Sequence, residues 1–199
     1  QARVAGTGTD AVTGLSSPVL SVINAGKLHT SGFEVEASWT PPSVPGLMFD
    51  TQIGYLHARY AVFNDTRFPG GSRAFQRPAF SPTWTWRVGA QYESNLGHYG
   101  FLTLGGQMRY RSETALAVDN TVIGTTTRID GLFQQGYYLF DARLVYETRD
   151  RRYSLGVYAN NLFDQTYKTD GQEFSSIGSI RTVYYGAPRT IMLRAGVHF

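Results

Sequence analysis

In the stretch "FNDTRFPGGSRAFQRPAFSP", Arg67, Arg73 and Arg77 are interleaved with Phe63, Phe68, Phe75 and Phe80. Guanidinium groups donate charge-assisted hydrogen bonds in a fixed fork and aromatic faces stack, so this combination suits an anionic, partly aromatic ligand. The plain alternative is a loop that packs on its neighbours. A second stretch, "QEFSSIGSIRTVYYG", adds Arg181, Tyr184 and Tyr185. Neither stretch identifies the ligand.

Other chemistry has little support. "GTGTDA" at 6–11 lacks the third glycine of a dinucleotide loop and has no strand and helix to frame it. His29, His57, His98 and His198 are scattered without ligand spacing and read as polar strand or turn residues. "NDT" at 64–66 fits a glycosylation acceptor only by coincidence. Cysteine is absent, which excludes disulfides and thiolate metal sites, and no Ser, His and Asp set forms a triad. The expectation is a protein with no catalytic residues, no cofactor and no metal. A net charge of +3, spread along the chain, is too weak to argue for nucleic acid.

The elements that must carry those residues follow from periodicity. Of 199 residues 14% are aromatic and only 17% charged, a balance that favours β structure. In "RTIMLRAGVHF", Ile191, Leu193, Ala195, Val197 and Phe199 alternate with Thr190, Met192, Arg194, Gly196 and His198. That is period two, a strand with two unlike faces. The same rule runs through "YSLGVYANN", "YLFDARLVYE", "FLTLGGQMRYR", "TWTWRVGAQYE" and "GFEVEASW". It loosens in "LMFDTQIGYLHARY", where Leu56 suggests a bulge, and "PVLSVIN" completes a set of eight strands. No amphipathic helix intervenes, and no apolar run is long enough for a transmembrane helix.

Connections alternate in length. Residues 41–46, 94–100 and 148–152 form short ones; 61–82, 112–136 and 162–188 form long ones. Long loops are unusual in compact domains, whereas outer-membrane barrels pair short periplasmic turns with long extracellular loops. Parity then places Phe199 at the periplasmic side. Trp84, Tyr138 and Tyr110 fall near the outer ends of their apolar faces and Tyr92, Tyr146, Tyr153 and Phe199 near the inner ends, as two aromatic girdles. A soluble β-sandwich also alternates, but does not place Tyr or Trp at both ends of nearly every strand. The opposite faces carry Arg87, Arg109, Arg111, Arg143 and Arg194 with Glu34, Glu36, Glu93, Asp141 and Glu147. These charges compensate one another across strands, or line the path of a polar solute past a plug.

Three segments carry a family resemblance. "VYYGAPRTIMLRAGVHF", "NNLFDQTYKT" and "NAGKLHTSGFEVEASWTPPSVPGLMFD" resemble the closing part of TonB-dependent outer-membrane receptors. The shared features are Tyr-Gly-x-Pro-Arg before a last strand ending in Phe, an Asn-Leu-Phe-Asp strand end, and Gly-x-Glu-x-Glu before a Pro-containing turn. The resemblance implies an all-β, antiparallel transmembrane barrel of about 22 strands. Residues 1–199 would supply about eight C-terminal strands, with the N-terminal plug and the segment that contacts TonB outside them. It implies import of a scarce solute such as a ferric siderophore, without chemistry on it, across the outer membrane of a Gram-negative bacterium. Its partners would be outer-membrane lipid, TonB through the missing N-terminal part, and the barrel assembly machinery, which reads a terminal aromatic such as Phe199. "QARVAGTGTDAVTG" lacks signal-peptide regions, so either one was removed or the chain is a fragment. A self-contained eight-stranded barrel with a structural or adhesive role stays open, as does, less well supported, an outer-membrane hydrolase.

Overall fold

The computed structural model describes residues 2–23, 26–174 and 180–199. Asn24 and Ala25, which open one resembling segment, and 175–179 of the second candidate loop lie outside them. Seven strands form one antiparallel sheet: β3 Gly26–Trp39, β4 Leu47–Phe63, β5 Trp84–Asn95, β6 Phe101–Arg111, β9 Tyr137–Glu147, β10 Tyr153–Asn160 and β13 Thr190–Val197. Their spatial order, β3-β4-β5-β6-β9-β10-β13, follows the chain, as in an up-and-down barrel wall.

The other strands are short or lie apart. β1 Ala2–Thr9 pairs with β2 Ser16–Ile23, β7 Thr114–Ala115 with β8 Phe133–Gln134, and β11 Lys168–Phe174 with β12 Ile180–Tyr185. The strand expected from "PVLSVIN" exists as β2, but its partner is β1, whose segment carries too little alternation to be foreseen. "GTGTDA" runs from β1 into the hairpin turn, where the Asp10 carboxylate accepts the Val12 and Thr13 backbone N–H groups at 2.8 and 2.7 Å. It is a turn, not a phosphate loop.

β3 and β13 are the outermost strands and are not paired with each other, so the sheet is an open wall. Among the described residues the wall has seven strands rather than eight and does not close on itself, which speaks against a self-contained eight-stranded barrel.

The face assignment follows the register. Directly paired residues share a face, and Phe33, Tyr55 and Trp84 stand in one row. Trp84, Trp86, Tyr110 and Tyr138 continue it, with successive ring centroids 6.3, 5.1 and 4.7 Å apart. At the other end Trp39 stacks on Phe49 at 5.7 Å, and Tyr92, Tyr146 and Tyr153 extend the lower row. Between the rows lie exposed Val35, Val88, Leu104, Leu144, Leu155, Val157 and Leu193. Tyr138 and Tyr146 are separated by about 26 Å of strand, or about 20 Å of height at a barrel's tilt, close to the apolar band of a membrane barrel.

Leu56 is not a bulge. It pairs in register with Gly32, and the shift falls higher, between Lys27 and Leu28, opposite Ala61. The pattern blurs at Leu56 because β5 ends beside Tyr55; above it β4 has only β3 as a neighbour and its outward residues become His57 and Arg59.

Residues 40–46, 96–100 and 148–152 connect strands at one end; 64–83, 112–136 and 161–189 do so at the other. Most of the buried apolar side chains sit in or beside those long connections: Phe63, Phe68, Ala115, Leu116, Ile129, Leu132 and Phe133. A single wall has no second layer to pack against, so the loops make their own core.

Candidate functional site

The long loops are folded onto one another. At their centre is Arg73, fully buried, with its guanidinium 4.8 Å from the ring centres of both Phe63 and Phe68. It is ion-paired with Asp65 at 3.1 Å and Asp119 at 2.6 Å and donates to Gln76 Oε1 and to the Val118 carbonyl. The expectation that Arg73 contacts ligand is therefore corrected. Two carboxylates, an amide and a carbonyl satisfy its charge inside the cap.

The remaining loop candidates lie nearer the surface. Arg67 grips Asp65 with Nε at 2.9 Å and Nη2 at 2.7 Å, while its backbone N–H reaches the same carboxylate at 3.0 Å. Burial alone would raise the Asp65 carboxyl, but these bonds and that from Arg73, with the Arg67 charge, outweigh it and lower its pKa to about 2. Arg77 pairs with Glu113 at 2.7 Å, and the same carboxylate takes two bonds from Arg128 and one from Gln135. Hydrogen bonding from Arg128 is the main reason the Glu113 carboxyl titrates below its ordinary range. Phe75 is half exposed, its ring 6.2 Å from Phe68.

Arg181 is held by Glu173 at 2.7 Å on the β11–β12 hairpin, and Tyr184 and Tyr185 are exposed there on opposite faces, as adjacent strand residues must be. The hairpin is tied to 112–136. Lys168 Nζ donates to the Gly131 and Phe133 carbonyls, and Gly171 lies so close to Leu132 and Leu116 that a Cβ there would meet Leu132 Cδ2 at 3.0 Å. Arg67 and Arg73 thus converge on Asp65 and Arg77 joins Arg128 on Glu113, while Arg181, Tyr184 and Tyr185 belong to the β11–β12 hairpin.

The inward face of the wall is a polar network. Arg87 pairs with Asp50 and donates to Gln107 Oε1 at 3.0 Å; Gln107 donates to Asp141 Oδ2 at 2.8 Å, which Arg109 also reaches at 2.8 Å. Arg143 donates to Gln91, and Gln52 to Glu36. Gly89 and Gly105 sit opposite Asp50 and Arg143 and leave room for those side chains to lie across the wall, where a Cβ would collide. Arg194, in register with Gly156 on the outermost strand, has no ion pair among the described residues.

Beneath the loops this face hollows into a concavity of about 410 Å³ whose lining includes Glu34, Glu36, Arg87, Arg109, Arg111 and Tyr137. Tyr137 is in register with Arg111 and stacks on Tyr167 with centroids 4.8 Å apart. Neither Tyr137 nor Tyr167 stood out in the sequence; Tyr137 lies one residue before the expected strand and Tyr167 follows the Asn-Leu-Phe-Asp segment, so only that segment pointed here. Asn161 of the segment is buried with φ 49°, and its side-chain amide donates to the Gln165 and Ala187 carbonyls. It thereby joins the two ends of connection 161–189. Its backbone N–H is bonded to Asp141 Oδ1 at 2.9 Å, which links the loop neck to the wall network.

A model of the TonB dependent receptor-like beta-barrel family matches residues 2–162. The chain belongs to that family. It is 28% identical over 166 residues to the ferripyoverdine receptor of Pseudomonas aeruginosa, a match covering 83% of this chain and 17% of that receptor. The solved ferric yersiniabactin uptake receptor of Yersinia pestis superposes with a TM-score of 0.68 and 25% identity over 91% of this chain and 25% of that one. For the closed form of the ferric-catecholate import receptor of E. coli K12 the TM-score is 0.60 at 22% identity, over 97% of this chain and 23% of that one, a likeness of fold alone. The chain thus spans a quarter or less of these TonB-dependent receptors, and its open sheet is a portion of their barrel wall. The family consists of transport receptors rather than enzymes.

Proposed function

We propose that residues 1–199 are the C-terminal barrel segment of an outer-membrane receptor that imports a ferric siderophore, driven through TonB by parts of the protein outside this segment. The observation that carries the reading is the pairing of two surfaces on one wall. Its outward face is apolar between two aromatic rows, and its inward face is an ion-paired guanidinium and tyrosine shelf that meets the loops at the Tyr137–Tyr167 stack. Such a shelf suits a bulky anionic chelate, which Arg109 and Arg111 would meet with charge and Tyr137 and Tyr167 with ring faces. Arg67, Phe75, Arg77, Arg181, Tyr184 and Tyr185 would meet it earlier, in the loops. In this reading the long loops are extracellular, the short turns periplasmic, the lumen holds a plug, and Phe199 is read by the assembly machinery. The wall only binds and passes the ligand.

The test is uptake of radiolabelled ferric siderophores of several classes by cells whose only receptor is the full-length protein. We expect one class to accumulate, to depend on TonB, and to fall about tenfold when Arg109 and Arg111 are both changed to Gln. Uptake of no ferric chelate, or uptake that persists without TonB, would refute the proposal.

A further inference from the structure

Above the upper aromatic row the outward face of β3 and β4 changes from apolar to basic. Below the transition the outward residues are Phe33 and Val35 on β3 and Ile53 and Tyr55 on β4. Beyond it they are Ser31, His29 and Lys27 facing His57, Arg59 and Val62. Ser31 pairs directly with His57 and His29 with Arg59, so one face holds Lys27, His29, His57 and Arg59 within a few residues. All four are exposed, and none forms an ion pair among the described residues. Basic side chains set directly opposite one another repel unless an anion lies between them.

Their height is informative. His57 and Arg59 lie two and four residues above Tyr55, about 7 and 13 Å along the strand, or about 5 and 10 Å of height at a barrel's tilt. The polar headgroup layer adds about 5 to 8 Å beyond the hydrocarbon on each side. An aromatic row marks that boundary, so His57 stands within the headgroup layer, His29 and Arg59 at its outer limit and Lys27 about 5 Å higher, from where the long Arg59 and Lys27 side chains reach back toward lipid phosphates.

We propose that Lys27, His29, His57 and Arg59 form a docking site for the phosphate of a membrane lipid in the leaflet at the long-loop end. Arg59 and Lys27 supply the fixed charge, and the two imidazoles supply further N–H donors on the same surface. The site needs no ligand in the lumen. It rests on the reading that this wall crosses the outer membrane.

The test uses full-length receptor, delipidated in neutral detergent and incubated with mixed micelles of bisphosphorylated lipid A or its dephosphorylated counterpart. Retained lipid is read by native mass spectrometry. The wild type should retain the phosphorylated form about tenfold better, the Lys27→Gln/Arg59→Gln variant should lose that preference, and Arg59→Lys should keep most of it. Equal retention of both lipids by the wild type, an unchanged preference in the double variant, or displacement by inorganic phosphate at matching concentration would each overturn the proposal. The wild-type comparison decides even if the variant folds poorly. Siderophore uptake is measured separately, so failure of transport with lipid retention intact would leave this site standing.

Discussion

Arg73 keeps its charge without water because Asp65 and Asp119 replace the solvent's oxygens and the Phe63 and Phe68 rings cover its flat faces. Removing it leaves carboxylates facing a cavity, so Arg73→Ala should loosen the loop cap by about 3 kcal/mol or more. Hydrogen exchange in 64–83 and 112–136 should rise while the strand amides stay protected; unchanged loop exchange would show that the cap does not depend on this residue. Asp65 makes the same cluster acid-sensitive. Its pKa is about 2 when folded, below the ordinary carboxylate value, so its contribution is complete above about pH 4 and is lost as pH falls toward 2. About 2 kcal/mol of cap stability should disappear over that window, seen as faster proteolysis of the loops, and Asp65→Asn should abolish the pH dependence. In the sequence, Arg73 could not be told from its neighbours. Three arginines among phenylalanines read alike until Asp119 and Val118, more than 40 positions away, close over one of them.

The strands were legible because each obeys a constraint that acts residue by residue: one face meets a low-dielectric surface and the other does not. Leu104 and Leu144 show the rule, being outward on adjacent strands and directly paired. Leu104→Arg should destabilise the assembled barrel by about 2 to 4 kcal/mol at mid-membrane. Gln52→Arg, on the inward face beside Glu36, should cost well under 1 kcal/mol. Urea titrations in detergent or lipid would compare the two, and equal losses would mean the faces are misassigned. Where that constraint lapses, the pattern fails too. β7 and β8 are two-residue strands fixed by loop packing, β11 and β12 stand clear of the wall, and β4 blurs where it rises past β5. The lumen charges were readable as a set, but their pairing was not, because Gln107 and the space over Gly89 and Gly105 decide which guanidinium reaches which carboxylate. The shelf of Tyr137 and Tyr167 was illegible for a similar reason. It joins the first residue of β9 to a loop residue whose position is set by the Asn161 knot.

At the scale of the whole molecule the deciding feature is the pair of open sheet edges. β3 and β13 each have one neighbour, and a wall with unpaired edges cannot sit in lipid, where every backbone N–H and C=O left without a partner costs several kcal/mol. Closing the edges on each other would make a seven-stranded barrel, an odd number that would bring strands of like direction together and is foreign to bacterial single-chain barrels. The inward side chains also argue against it, since Arg87, Arg109 and Arg143 with their partners already extend across the wall and a narrow lumen would have to bury them all. Residues 1–199 refolded alone in detergent should therefore give little heat-modifiable, protease-resistant monomer, whereas the full-length receptor should give both. The comparison is read on a gel with and without boiling, after limited proteolysis. A discrete resistant monomer from the isolated segment would mean that the edges find each other after all, and would replace the barrel-wall reading with a self-contained small barrel.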